Sequence, residues 1–289
     1  MAVQAKDKNS MLPIIAGAMF ALGFLCRVLM GNLTRIPFLL LAVSYVLFAV
    51  VLFARQKKQP KPKISAVIVA AGSGARMGTD CPKQFLTVFD KPIIAYTLQK
   101  FCDCDYVDSI VLVTQSDYIP LCRRICTSYG FDKVKVITEG GATRRESVAN
   151  GLAQLPDDCE YVMIHDGARP LIDADMLEKS VTAAIENGAA AVGVRVKDTI
   201  KYSDDGKYIT QTVDRSRLWQ IQTPQMFEKN LIVGCHDRAA RENIDATDDC
   251  MLAEKCGVKV AIVEGKYENI KITSPADLYI MQGLLESNL

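Results

Sequence analysis

From residue 64 to the end of the chain, six short apolar runs rich in β-branched residues alternate with six segments of helical period, and this alternation constrains the fold more than any other feature. The runs cover 64–70, 109–114, 133–138, 161–165, 190–196 and 258–263. Their length and composition predict strands. The segments between and after them, 93–101, 118–129, 144–155, 174–187, 229–240 and 275–285, place apolar residues at helical spacing, and Ser274 followed by Pro275 marks the start of the last one. Strand–helix alternation of this kind predicts a mostly parallel α/β sheet with helices on both faces. One stretch departs from it. Residues 198–213 read as two short strands around Asp204-Asp205-Gly206, a hairpin that would project from the sheet. There is no internal repeat and no low-complexity segment.

The first run breaks into Ala70-Ala71-Gly72-Ser73-Gly74-Ala75-Arg76-Met77-Gly78, with Pro82-Lys83 close behind. Small residues let a backbone approach a ligand, and successive N–H groups can cradle an anion. Arg76 and Lys83 would add full positive charge where phosphate oxygens gather. A plain strand-to-helix turn is the competing reading. Two phosphate motifs are excluded: G-x-x-x-x-G-K-[ST] is absent, and the third glycine of G-x-G-x-x-G arrives one place late, at Gly78. In open α/β sheets ligands sit beyond the carboxyl ends of the strands. There the chain places Gly140 and Gly141 ahead of Ser147, then Asp166-Gly167-Ala168-Arg169, then Lys271. Asp166 suits Mg²⁺ or a hydroxyl, or else forms a turn. Lys271, taken by itself, could equally be a solvated surface charge.

Upstream lie two apolar runs, 11–30 (interrupted by Arg27) and 36–54, each near the length of a bilayer span. They predict a membrane hairpin over 1–55, with a buried soluble hairpin as the alternative. The basic cluster Arg55, Lys57, Lys58, Lys61 and Lys63 would hold the following domain in the cytoplasm. The expected chain is therefore a multi-pass cell-membrane protein with a basic linker at 56–63 and a cytoplasmic domain over 64–289. Residues 1–63 sum to +8 and the remainder to −7. An acidic body excludes nonspecific nucleic-acid binding, which needs a broad basic surface. Ten scattered cysteines without a C-x-x-C pair, and only two histidines, speak against structural zinc and for free thiols in a reducing compartment.

Taken together, several segments resemble one family. The Ala70–Gly78 loop with Pro82-Lys83-Gln84 is similar to the signature of sugar-phosphate nucleotidyltransferases. Five further segments narrow the likeness: His165-Asp-Gly-Ala-Arg-Pro170, Val196-Lys-Asp-Thr-Ile-Lys201, Asp214-Arg-Ser-Arg-Leu-Trp219 with Gln222-Thr-Pro-Gln225, Ala246-Thr-Asp-Asp249 and Glu268-Asn-Ile-Lys-Ile-Thr273. In this order they resemble the 2-C-methyl-D-erythritol 4-phosphate cytidylyltransferases of non-mevalonate isoprenoid synthesis. The resemblance runs from about residue 64 to the end and leaves the apolar N-terminal runs uncovered. It implies a Rossmann-like sheet of the nucleotidyltransferase (GT-A-like) type and cytidylyl transfer from CTP to a sugar-alcohol phosphate, with Mg²⁺ or another divalent cation.

By resemblance, Arg76, Lys83, Arg215 and Lys271 are the catalytic cations. Ala70, Ala71, Gly72, Gly141, Ala142, Ser147 and Gly167 would hold the nucleotide. Asp166, Arg169, Thr199 and Thr247 would hold the acceptor, with Asp166 also near the metal. Many members carry a polar residue where Ala142 stands, so a base contact there would come from backbone. The hairpin, about 197–215, would be an arm crossing to a second copy in a homodimer, bringing Thr199 and Arg215 to the neighbouring site. A ribitol-5-phosphate cytidylyltransferase is the alternative of the same class. A membrane-bound scaffold that senses nucleotide without turnover is the alternative of another class.

Overall fold

In the computed structural model, which describes residues 61–72 and 81–287, the first run becomes β1 (Ile64–Ala70), buried at six of its seven positions. A strand so covered belongs in the middle of a sheet clothed on both faces. The chain continues through a small ribbon, β2 (Thr87–Val88) and β3 (Lys91–Pro92), into α1 (Ile93–Cys102). Then follow β4 (Ser109–Thr114), α2 (Ile119–Tyr129), β5 (Val134–Glu139), α3 (Arg144–Leu152), β6 (Tyr161–Asp166), α4 (Ala174–Asn187) and β7 (Ala189–Arg195). The last part holds β8 (Lys201–Tyr202), β9 (Gln211–Thr212), β10 (Trp219–Glu228), α5 (Lys229–Glu242), α6 (Asp249–Lys255), β11 (Ala261–Glu264) and α7 (Pro275–Glu286).

Seven strands form one sheet in the order β11-β7-β10-β6-β1-β4-β5. Every pairing is parallel except those of β10, which runs antiparallel to both β6 and β7. The mostly parallel α/β sheet is therefore as expected, but β10 is an addition. Its Gln220, Gln222, Pro224 and Gln225 hide the alternation that marks a strand. Proline is normally kept out of central strands. Here the register shifts between Ile221 and Gln225, so Pro224 sits in the irregularity.

Residues 62–289 form one compact unit. On one face of the sheet, Ile94 and Leu98 of α1, Ile125 of α2 and Leu177 of α4 pack against Ile64, Ala66 and Ile68. On the other, Val148 of α3, Ile232 of α5 and Leu252 of α6 pack near Val67 and Val111. Helix ends follow local chemistry. Thr143 and Glu146 cap α3 reciprocally, Asp173 accepts from the Met176 N–H at the head of α4, and Gly130 ends α2 with φ +67°. The Ser274 cap is present, with Asp277 completing its box.

The arm is slighter than expected. Its strands hold two residues each, and the tight Asp-Asp-Gly turn is replaced by a longer connection in which Asp205 accepts from the N–H groups of Lys207 and Tyr208. Tyr208 and Ile209 in that connection are 74% and 67% exposed. Among the described residues no helix is long and apolar enough to cross a membrane. The expected spans, 11–30 and 36–54, lie outside the described residues, as do most of the 56–63 linker and Arg76. All nine described cysteines are free thiols.

Candidate active site

The chain passes from β1 to β4 to β5 in one direction, then returns to place β6 on the other side of β1. Such a reversal opens a crevice at the carboxyl ends of the two strands it separates. Register brings Val69 of β1 beside Asp166 of β6 and Ala70 beside Thr114 of β4. A cavity of about 490 Å³ lies there, lined among others by Ala70, Ala71, Gly72, Lys83, Gly141, Ala142, Ser147, Asp166 and Lys271. Nine sequence-predicted residues thus meet in one place, although they come from four separated segments.

Glutamines fasten the small-residue wall. The amide of Gln84, itself buried, donates to the carbonyls of Ala70 and Gly72, and Gln115 Nε2 donates to Ala71 O at 3.1 Å. Opposite, Ser147 Oγ accepts from the Gly141 N–H at 3.0 Å and donates to Thr143 O at 2.9 Å. Between the walls runs Gly140, where a Cβ would collide with the Ala71 Cβ and press on Ser147 Oγ. Gly140→Ala is expected to push the two walls apart, costing about 1–3 kcal/mol of stability. Denaturant unfolding checks the loss, and a raised KM for nucleotide checks the displacement.

Charge centres on Asp166. Lys271 Nζ lies 2.9 Å from one carboxylate oxygen, while Arg144 Nε and Arg169 Nε each stand at 3.5 Å. Burial pushes this carboxyl up, but the three cations outweigh it and hold it well below the usual carboxylate range. Arg144 continues the chain of charge: its Nη1 lies 2.7 Å from Asp249 Oδ2. Asp249 in turn accepts from His236 Nε2 at 3.0 Å.

His165 is held differently. Its Nε2 is 3.1 Å from the Arg169 carbonyl oxygen, which only accepts, so Nε2 carries the proton. Its Nδ1 then accepts from Thr223 Oγ1 at 2.9 Å, and Thr223 Oγ1 accepts from the Asp166 N–H. Burial lowers its pKa to about 4. The folded pKa lies below the unfolded value near 6.5, so the unfolded chain binds the extra proton and stability falls as pH drops from about 6.5 toward 4. At pH 5 the loss should be about 2 kcal/mol relative to pH 7. Urea unfolding across that range checks it, and His165→Asn should flatten the slope.

Other expected residues lie elsewhere. Arg169 donates from Nη1 to Asn269 O at 2.9 Å and braces Asp166 from outside the cavity lining. Gly167 packs beneath the floor, where a Cβ would meet Ile94 and the Val69 carbonyl. Thr199 and Arg215 are exposed on the arm, with Arg215 Nη1 donating to Lys197 O at 2.6 Å. Thr247 is exposed in the loop before α6. The sequence reading gave no role to Arg144, which lies between Gly141 and Ser147, or to Asp249, although the latter closes the Ala246-Thr-Asp-Asp249 segment.

Comparison with known proteins accords with this geometry. The family described as 2-C-methyl-D-erythritol 4-phosphate cytidylyltransferase (IspD) matches residues 64–287. The chain belongs to that family. A relative of that name from Clostridium botulinum (strain Langeland) is 45% identical over 224 residues, covering 78% of this chain and 98% of the relative. Among solved structures, 4-diphosphocytidyl-2C-methyl-D-erythritol synthase from Anaerococcus prevotii superimposes with TM-score 0.70 at 32% identity, covering 78% of this chain and 97% of that one. The cytidylyltransferase from Thermus thermophilus gives TM-score 0.64 at 31% identity, covering 78% and 99%.

These matches correct one expectation. The relatives are matched over nearly their whole length by the α/β domain alone, so they have no counterpart of the two apolar runs. No helix among the described residues can cross a membrane. The multi-pass cell-membrane placement is accordingly withdrawn. It rested on hydropathy and flanking charge in residues 1–63, a segment that the family relationship does not reach.

Proposed function

We propose that this chain transfers a cytidylyl group from CTP to 2-C-methyl-D-erythritol 4-phosphate, forming 4-diphosphocytidyl-2-C-methyl-D-erythritol and pyrophosphate. The observation that carries this reading is the meeting, in the lining of one cavity, of the small-residue wall and Lys83 with the Asp166–Lys271 pair. The first group suits a triphosphate and the second an acceptor that is both hydroxylated and phosphorylated. The acceptor's phosphate oxygen is already anionic at neutral pH. It attacks the α-phosphorus, forming one O–P bond while the bond to the β-phosphate oxygen breaks and pyrophosphate leaves with the electron pair. No base is required, which suits a His165 held neutral. The protein's work is in-line positioning and cationic stabilisation.

In this reading Ala70, Ala71 and Gly72 line the triphosphate, while Gly141, Ala142 and Ser147 face the cytosine. Lys83, joined by Arg76, acts on the α-phosphate. Lys271 grips the acceptor phosphate, joined by Arg215 from the arm of a second copy, with Asp166 and Thr247 toward the acceptor hydroxyls. Mg²⁺ commonly takes one or two carboxylates and completes its shell with phosphate oxygens. Asp166, the carboxylate of the described cavity lining, fits that modest demand. When bound, the ion would neutralise charge on the triphosphate. The catalytic domain over 64–289 would pair with a second copy through the 197–215 arm, whose exposed Tyr202, Tyr208 and Ile209 support the idea. Sedimentation of wild type against an arm-tip Tyr208→Ser/Ile209→Ser variant tests it, with a shift toward monomer expected.

Pyrophosphate release with CTP and each acceptor tests the reaction itself. Release with methylerythritol phosphate is expected. Release with ribitol 5-phosphate alone would move the assignment to that substrate, and release with neither would leave nucleotide sensing without turnover.

A further inference from the structure

Asp249 is 1% exposed and lines neither cavity wall, yet it is ionised and both of its oxygens are engaged. A buried ion pair is a poor device for stability, since apolar residues of the same volume often do as well or better. Its neighbours suggest another use. His236, also buried, donates to Oδ1, Arg144 takes Oδ2, and the Asp249 N–H is fixed by Gln225 Oε1 at 3.1 Å. Arg144 therefore reaches the cavity with one nitrogen clamped behind it and Nε turned toward Asp166. Charges alternate in sequence from Asp249 through Arg144 and Asp166 to Lys271.

We propose that Asp249 and His236 are positioning residues for the transfer, acting through Arg144 to fix the Asp166 carboxylate and, with it, the Lys271 ammonium. Without that clamp, Arg144 would swing and Asp166 would follow it, shifting Lys271 relative to the acceptor. The proposal rests on the cytidylyl-transfer reading, and its test separates the two. Wild-type turnover with CTP and methylerythritol phosphate comes first; no release there overturns the reaction.

The clamp is then judged on kinetics and on the Arg144 guanidinium N–H signals in ¹H–¹⁵N spectra, which need no turnover. Asp249→Asn should lower kcat about tenfold or more, with both KM values within about threefold, because misplacement penalises the transition state more than binding. The Arg144 signals, which the Asp249 contact is expected to keep slowly exchanging in wild type, should broaden. His236→Leu should show a smaller kcat loss of the same kind, and His236→Gln, which keeps a donor near Nε2, should recover most of it. A kcat within about twofold of wild type, a raised KM with kcat kept, or unchanged Arg144 signals each overturn the proposal. If Asp249→Asn does not fold, the His236 pair decides by the same readouts.

Discussion

Lys83→Ala is expected to fold as the wild type does while losing cytidylyl transfer by roughly 100-fold or more, the scale of removing one preorganised group from a developing charge. Folding should survive because the turn is anchored by its neighbours. Pro82 precedes it, buried Gln84 ties it to the carbonyls of Ala70 and Gly72, and Phe85 stacks on Tyr118 with ring centroids 4.7 Å apart. Lys83 thus takes its place in the cavity lining, with Ala70, Ala71 and Gly72, on a rigid base. The loss should fall mainly on kcat, since the cation is needed most when the α-phosphorus gains its fifth oxygen. Steady-state pyrophosphate release beside a thermal melt decides it. Near-wild-type turnover in a folded variant would refute the role of Lys83.

Asp166→Asn should be damaging twice over. Removing the carboxylate leaves Lys271, Arg144 and Arg169 crowded together without their shared counter-charge. Breaking a buried pair typically costs about 3–5 kcal/mol, and because Lys271 and Arg144 retain some access to water the expected loss is nearer 2–3 kcal/mol. Turnover should fall by roughly two orders of magnitude as Lys271 loses its fixed position. Titration gives a further check. The folded pKa of Asp166 is depressed, so its stabilisation is complete above the unfolded value near 3.9 and is lost only as pH falls through the folded value. The Asn variant should therefore keep the acid-side slope between pH 6.5 and 4, which belongs to His165. An Asn variant as stable as wild type would refute the ion-pair account.

How much of this was legible in the chain depended on range. The strand at 109–114 and the helix at 174–187 were readable to the residue, because burial on the sheet and one apolar helix face leave local periodic traces. The small-residue loop, Asp166 and Lys271 were readable because ligands gather at strand ends. β10 was not, since its polar and proline positions make sense only against β6 and β7. Arg144 and Asp249 lie 105 residues apart, and no local pattern announces a partner at that distance. Gln84 looked like part of a motif when it is also a fastener. The apolar runs before residue 64 are strong local signals of the opposite kind, lying outside the described residues and without support from the relatives.

β10 joins two regions that otherwise seem independent. Trp219, at its start, adjoins the base of the arm and pairs with Arg195. Four residues on, Thr223 receives the Asp166 N–H, and its carbonyl oxygen, like Gln222 Oε1, accepts from Asn269, two positions before Lys271. Arm and reaction centre are therefore mounted on a single beam. A load applied at the arm, by a second copy or by an antibody fragment, would have a short route to the Asp166–Lys271 pair, four residues of one strand and then these hydrogen bonds, and the rate of catalysis would become a gauge of how firmly the arm is held.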